Sequence, residues 1–417
     1  MYCGSCLRDN ALAAALRARG HDVVLMPVYT PTHTDEVNVS SPHVFFGGIS
    51  VYLEQHVPLF RRTPAFLDRL WDSTPALRLA SKYQIQVDPA ALGEMTVSML
   101  RGREGYQRKE VLKMQRWLAH EPGFDCVNIP FTLLIGLAKP LREALGAPIA
   151  CTLQGEDLFL ENLREPWRSQ ALELIRRQVA DVDVFIAVST DYAAAMAEYF
   201  RIPPSRIRVV PLGINFDAAA PADARTAPPY TIGFFARIAP EKGLHVLAEA
   251  YRRLRATPGT PPTRLLAGGY LLDEHREYFS GIRQRLDDWG LGGEFQYGGA
   301  PDRAGKTALL RQMDVMSMPA TYDEPKGLSL LEAMAHGVPV VLPNRGAFPE
   351  IIARTGGGLI VAKDDPDALA NGLSALVTDR ARAAALGRAG AEGVRRHFGV
   401  GHMAEAAESV YETLVRR

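Results

Sequence analysis

Short apolar runs alternate along this chain with segments whose apolar residues recur every three or four positions. The runs are HDVVLMPVY, FDCVNI, PIACTLQ, VDVFIAVS and RIRVV in the first half, then YTIGFFAR, TRLLAGG, EFQYGG, DVMSMP, VPVVLP and GGLIVA in the second. Strands that are apolar throughout are covered on both faces, so the pattern predicts parallel sheets flanked by helices. Helices are predicted from Asn10 to Arg19, through LLIGLAKPLREALG, over Tyr192 to Tyr199, from Glu241, around Glu274 to Leu286, over Lys306 to Arg311 and from Leu328. Between the halves, GINFDAAAPADARTAPP has few large apolar residues and reads as a linker. The expected fold class is α/β, with two Rossmann-like doubly wound domains, 1–212 and 213–399, facing across a cleft. A C-terminal helix over 400–417 is expected to pack back on the first domain.

Two segments break the alternation. Residues 59–119 are helical in pattern but lack strands, and read as an insertion in the first domain. Within it, Phe60, Phe66, Leu67, Leu70 and Trp71 accompany Arg61, Arg62, Arg69, Arg78 and Lys82 against Asp68 and Asp72. Such a stretch serves as a helical lid on the first domain, a grip for an acceptor, or a peripheral contact with an anionic membrane. The second break is at the start, where the helix at Asn10 has no strand before it. A doubly wound sheet without its central first strand would expose unpaired backbone. We therefore expect Met1 to be an internal methionine, with the natural chain beginning about 10 to 15 residues earlier in a strand of ordinary length.

Composition narrows the picture. Lysine plus arginine equals aspartate plus glutamate at 47 each, so no global field attracts nucleic acid, and any anion site must be local. Four cysteines do not make a disulfide scaffold; Cys126 and Cys151 lie in apolar runs, and a reducing, cytoplasmic setting is expected. No run is long enough to span a membrane. The opening MYCGSCLRDN holds Cys3 and Cys6 as C-x-x-C. A zinc site would need two further ligands at matching spacing, and a redox motif would follow a strand, so backbone N–H groups of a helix start around Gly4 and Ser5 are the preferred reading.

In FFARIAPEKGL, Arg237 ends a strand, Pro240 takes the first helical position and Lys242 falls in the opening turn. A cation there opposes the helix dipole and, with Arg237, would close a phosphate site; the alternative is a solvated lysine offset by Glu241. In TYDEPKGLSLLEAMAHGVPVV, Glu324 follows a strand and Glu332 sits among Leu330, Leu331, Ala333 and Met334. A ribose diol or a salt bridge to a neighbouring helix would satisfy Glu332, while Glu324 would accept from sugar hydroxyls. NRGAFPEII adds a glycine turn at Gly346 before a helix opened by Glu350.

Taken together and in this order, these stretches resemble the nucleotide-sugar domain of retaining glycosyltransferases of the GT-B architecture, family 4. ARIAPEKG is similar to the donor-phosphate loop, EPKGLSLLEAMAHGVPVV to the E-x7-E motif, NRGAFPEII to the Gly-x-x-Pro-Glu turn, and PLGIN to the interdomain Pro-Asn-Gly-Ile-Asp, with Leu212 and Asn215 as departures. The resemblance implies that Arg237, Lys242 and Glu324 are catalytic. It places Gly4, Ser5, Lys326, Gly327, Leu328 and Glu332 with them on the donor, Lys326 standing where the family often has an apolar residue. On the acceptor side, Gln154 occupies the place of a common family histidine. Gln154, Glu156 and Asp157 are the candidates there, a plain helix-start loop being the alternative; Ser189 and Thr190 read as N-caps.

The resemblance implies sugar transfer with retention from a nucleoside diphosphate sugar to a hydroxyl acceptor, with no metal or other cofactor. A nicotinamide enzyme is disfavoured because no G-x-G-x-x-G follows a strand. A nucleotide-sugar epimerase of the same architecture and a non-catalytic binding protein remain as rivals. The localisation implied is cytoplasmic, with a peripheral contact at the inner membrane face.

Overall fold

The computed structural model describes residues 4–29, 31–32, 34–42, 44–47, 51, 54–55, 89–216 and 227–416. The chain forms two compact units, one of Ser5–Pro211 with Ala404–Arg417 and the other built on Leu212–Met403. The aromatic and basic stretch over 59–88, Cys3 and Met1 lie outside the described residues.

In the first unit, helix α1 (Gly4–Ala18) precedes α2 (Pro89–Leu100) and α3 (Arg108–Leu118), which are the described part of the insertion. Then follow β1 (Val127–Ile129), α4 (Ala138–Leu145), β2 (Ile149–Leu153), α5 (Asp157–Glu161), α6 (Trp167–Gln178), β3 (Val184–Ala187), α7 (Thr190–Tyr199) and β4 (Ile207–Val209). These strands make a parallel sheet in the order β1-β2-β3-β4. Every residue of β2 and β3 is buried, as their unbroken apolar runs require.

Three expectations need correction here. HDVVLMPVY makes only isolated parallel bridges among the described residues, Leu25 to Ser40 and Val28 to Phe45. Pro27 interrupts it: proline has no N–H to give a ladder, and its carbonyl accepts from Phe45 instead. The first helix begins at Gly4 rather than at Asn10, because Arg8, Leu12 and Leu16 bury one face at i, i+4 spacing and carry α1 back past Asn10. LLIGLAKPLREALG opens as a 3-10 turn, Thr132–Leu137, and becomes α-helical at Ala138. Pro140 then falls in the first turn of α4, where its missing N–H has no helical partner to lose.

The second unit contains β5 (Tyr230–Phe235), α8 (Leu244–Ala256), β6 (Thr263–Gly268), α9 (Arg276–Asp288), β7 (Phe295–Tyr297), α10 (Arg303–Leu310) and β8 (Val315–Met316). They are followed by α11 (Leu328–Ala335), β9 (Val340–Pro343), α12 (Phe348–Thr355), β10 (Gly358–Val361), α13 (Pro366–Thr378), α14 (Arg380–His397) and α15 (Val400–Val415). From Ala404 onward, α15 belongs to the first unit, where Glu408 pairs with His21 at 2.7 Å and with Arg19. The sheet is parallel in the order β10-β9-β8-β5-β6-β7. Strand order therefore reverses between β5 and β8, the position at which a doubly wound sheet opens a ligand crevice beyond its carboxyl ends.

Across that point the backbone is drawn tight. The loop after β5 is a 3-10 turn, Pro240–Lys242, so Pro240 opens a turn and α8 starts only at Leu244. Gly243 separates the two with φ +80°, and a Cβ there would stand 1.8 Å from the Pro319 carbonyl oxygen. Gly243→Ala combines a left-handed backbone with that clash and should destabilise the protein by about 1–3 kcal/mol or more, read as a lower urea midpoint at unchanged slope.

Candidate functional site

The loops leaving β5 and β8 meet at the reversal of strand order. Thr321 N–H donates to the Glu241 carbonyl at 2.9 Å, tying one loop to the other. That contact sets Lys242 against Tyr322 and Glu324. The lysine Nζ donates to the Tyr322 hydroxyl at 2.5 Å and to Glu324 Oε2, and the same hydroxyl donates to that carboxylate oxygen. The Lys242 ammonium also stands 4.7 Å from the centre of the Tyr322 ring. Glu324 is only 4% exposed. Burial pushes its carboxyl up, but the Lys242 charge and the hydrogen bonds from Lys242 and Tyr322 outweigh this and hold it at about 2. The Tyr322 phenol goes the other way, raised well above its usual range by burial and by the neighbouring carboxylate.

The other carboxylate oxygen, Oε1, accepts from Lys326 N–H at 3.2 Å and Gly327 N–H at 3.5 Å. Gly327 adopts φ +70° as the residue capping α11, whose first residue is Leu328. The Glu324 backbone is braced from a third loop. Ala347 N–H donates to its carbonyl at 2.9 Å, and Gly346, at φ +52°, lies so close that a Cβ would meet that oxygen at 2.5 Å. The glycine turn of NRGAFPEII thus holds Glu324 in place.

The expected alternative for Lys242, a solvated lysine offset by Glu241, is not what forms. Glu241 instead pairs with Arg237, and the Lys242 side chain is 16% exposed and bonded to Glu324. For Glu332, the structure brings in Lys306 of α10, whose Nζ donates to Oε1 at 2.6 Å. Sequence reading missed Lys306 and Tyr322. The signal for Lys306 was its position three residues before the buried Leu309, which puts both on one face of α10. Tyr322 had only its nearness to Glu324.

In the first unit, the QGED loop follows β2. Glu156 is buried and internally committed: Oε1 accepts from Thr132 N–H at 3.0 Å and Thr132 Oγ1 at 2.9 Å, and Oε2 from Gln154 N–H at 2.7 Å. Those bonds join the ends of β1 and β2. Asp157 accepts from the Tyr192 hydroxyl at 2.6 Å, and Gln154 reaches Asp9 and the Pro130 carbonyl. Ser189 caps α7 by accepting from Tyr192 N–H. Gly4 and Ser5 lie in the first described turn of α1.

Comparison with known proteins matches residues 93–218 to Glycosyltransferase Family 4 and residues 218–393 to Glycosyl transferases group 1. The lipopolysaccharide core biosynthesis mannosyltransferase LpsB of Rhizobium meliloti is 32% identical over 44% of this chain, a match spanning only 52% of that relative. A D-inositol 3-phosphate glycosyltransferase of Stackebrandtia nassauensis is 29% identical over 72% of this chain and 70% of its own length. Among solved structures, sucrose-phosphate synthase from Thermosynechococcus elongatus aligns with a TM-score of 0.65 at 20% identity, covering 97% of this chain and 92% of that one. Anabaena Alr3699/HepE in complex with UDP-glucose aligns with a TM-score of 0.62 at 18% identity, covering 94% and 100%. With two adjoining family models matched in order and the sheet reversal carrying the motif residues, the chain belongs to the family 4 glycosyltransferases of GT-B fold.

Proposed function

We propose that this protein transfers a sugar from a nucleoside diphosphate sugar to a hydroxyl acceptor, with retention at the anomeric carbon. The observation that carries this reading is the Lys242–Tyr322–Glu324 cluster at the β5–β8 reversal. Glu324, held ionised, is purely an acceptor and suits the hydroxyls of the transferred sugar. Lys242, beside it, would turn its rotatable N–H donors toward the departing diphosphate, with Arg237 and Lys326 adding charge as it leaves. Glu332, oriented by Lys306, would take the ribose diol. The relatives' names and the UDP-glucose bound to HepE support a nucleotide-sugar donor.

In this reading the leaving phosphate takes the acceptor's proton on the front face of the sugar. The side chains neutralise the diphosphate, and no metal is required. Gly4 and Ser5 would offer backbone N–H groups to the phosphates. No described helix is long and apolar enough to cross a membrane, and a peripheral membrane contact rests on residues 59–88, outside the described residues.

Lys242→Ala should lower kcat with the true donor by about 10²–10³-fold, the scale of a lost charge-stabilising donor. Undiminished turnover would rule the assignment out, and activity that vanishes in EDTA and returns with a divalent ion would refute the metal-free path. The ion cluster also has an acid signature. Because the Glu324 carboxyl lies near 2 in the folded protein against 4.5 ordinarily, its contribution is complete above pH 4.5 and is lost as pH falls toward 2. Stability of Glu324→Gln, followed by urea unfolding across that window, should vary less steeply with pH than that of the wild type.

A further inference from the structure

Arg8 and Gln154 of the first unit hold polar atoms that the fold leaves unused. Arg8 is 1% exposed, and its Nη1 donates to Asp9 Oδ1 at 2.8 Å. Its Nε and Nη2 are buried without a partner. Gln154, 4% exposed, meets the same aspartate: Nε2 lies 3.3 Å from each Asp9 oxygen and 2.9 Å from the Pro130 carbonyl. Three neighbouring acceptors fix the amide's orientation, since a flipped amide would set oxygen against oxygen. Gln154 Oε1 therefore points away from them, and it too is buried without a partner. Native folds rarely leave one such atom unsatisfied, and here three belong to two side chains that share a single carboxylate.

Their chemistry describes what would complete them. With Nη1 held by Asp9, the remaining edge of the Arg8 guanidinium presents Nε and Nη2 as parallel donors, a fork that matches two oxygens of one oxyanion. Gln154 Oε1 needs the opposite, a donor. The complement is one molecule carrying an oxyanion and a hydroxyl. Pro130 and Gln154 immediately follow β1 and β2, so these atoms lie beyond the carboxyl ends of the parallel strands, where such sheets bind ligands.

We propose that Arg8, Asp9 and Gln154 form a binding site for a phosphorylated polyol. Its phosphate oxygens sit on the Nε–Nη2 edge of Arg8, and one of its hydroxyls donates to Gln154 Oε1. Asp9 holds both side chains in position. The site itself needs no donor; that the bound molecule is the acceptor rests on the transferase reading above.

Calorimetric titration of the full chain tests this, using glycerol 3-phosphate, glucose 6-phosphate and inositol 1-phosphate, each against its unphosphorylated parent and against inorganic phosphate. At least one phosphorylated polyol should bind about tenfold or more tightly than both references. Arg8→Lys keeps the charge and loses the fork, and should weaken that binding about tenfold or more. Gln154→Ala should weaken the polyol phosphate while leaving inorganic phosphate unchanged. The proposal is overturned if the wild type binds none of the three, if inorganic phosphate binds equally well, or if folded Arg8→Lys binds as the wild type does. Should the Arg8 variant not fold, the ¹⁵Nε resonance of Arg8 in the wild type must move on titration, and a static resonance overturns the proposal equally. A parallel thermal-shift series with UDP, GDP and ADP sugars separates the two readings. Donor binding without polyol phosphate binding sinks only this site, and the reverse sinks only the donor assignment.

Discussion

Glu324 is an ionised carboxylate almost wholly removed from water, and a buried carboxylate survives only where its charge and its lone pairs are answered. The loops of the second unit are arranged around that requirement. Lys242 supplies the charge from 82 positions away, which is possible because the strand order sets β5 beside β8. Gly243 lets its loop approach the Pro319 carbonyl closely enough for the ammonium to arrive. Gly346 and Ala347 grip the Glu324 backbone, and the amides of Lys326 and Gly327 take the second oxygen. Three glycines with left-handed backbone, at 243, 327 and 346, thus serve one carboxylate.

Much of this was legible in the chain because parallel strands and their helices announce themselves locally. Continuous apolar runs such as VFIA and VVLP became fully buried strands, and Ser189 capped the helix it precedes. Local pattern failed where a single residue vetoed it: Pro27 denies a ladder to an otherwise strand-like run. It also fell short at α1, where the buried face continued back through Arg8, a residue whose type gives no hint of burial.

Partnerships across the sheet were harder. The carboxylates at 324 and 332 stand out in sequence, but which cation answers each depends on strand order. Glu241 is adjacent to Lys242 and was the obvious partner, yet the turn geometry gives it to Arg237. Lys306 and Glu332 come from helices on successive crossovers, α10 and α11, and only the packed sheet makes them neighbours. Short-range chemistry is readable from spacing, whereas chemistry set by topology waits for the fold.

Glu156 and Glu324 are buried alike but answered by different kinds of partner. Both follow a parallel strand, both sit in a loop ahead of a helix, and both are buried. Glu156 is answered by donors fixed in the framework: two groups of Thr132 and the Gln154 amide, with the Tyr192 hydroxyl at 3.4 Å. The two backbone amides cannot leave without opening the loop. Glu324 draws its main compensation from an ammonium on a flexible four-carbon stem, which keeps one further N–H donor beyond those given to Tyr322 and Glu324 and can turn without disturbing the backbone. On the proposed transferase reading, an arriving anion would share Lys242 while Glu324 turned to sugar hydroxyls, whereas the amide donors of Glu156 are tied to the loop itself. Exchangeability of the partner, rather than depth of burial, is what distinguishes the two carboxylates physically, and it is the property the proposed role of Glu324 would use.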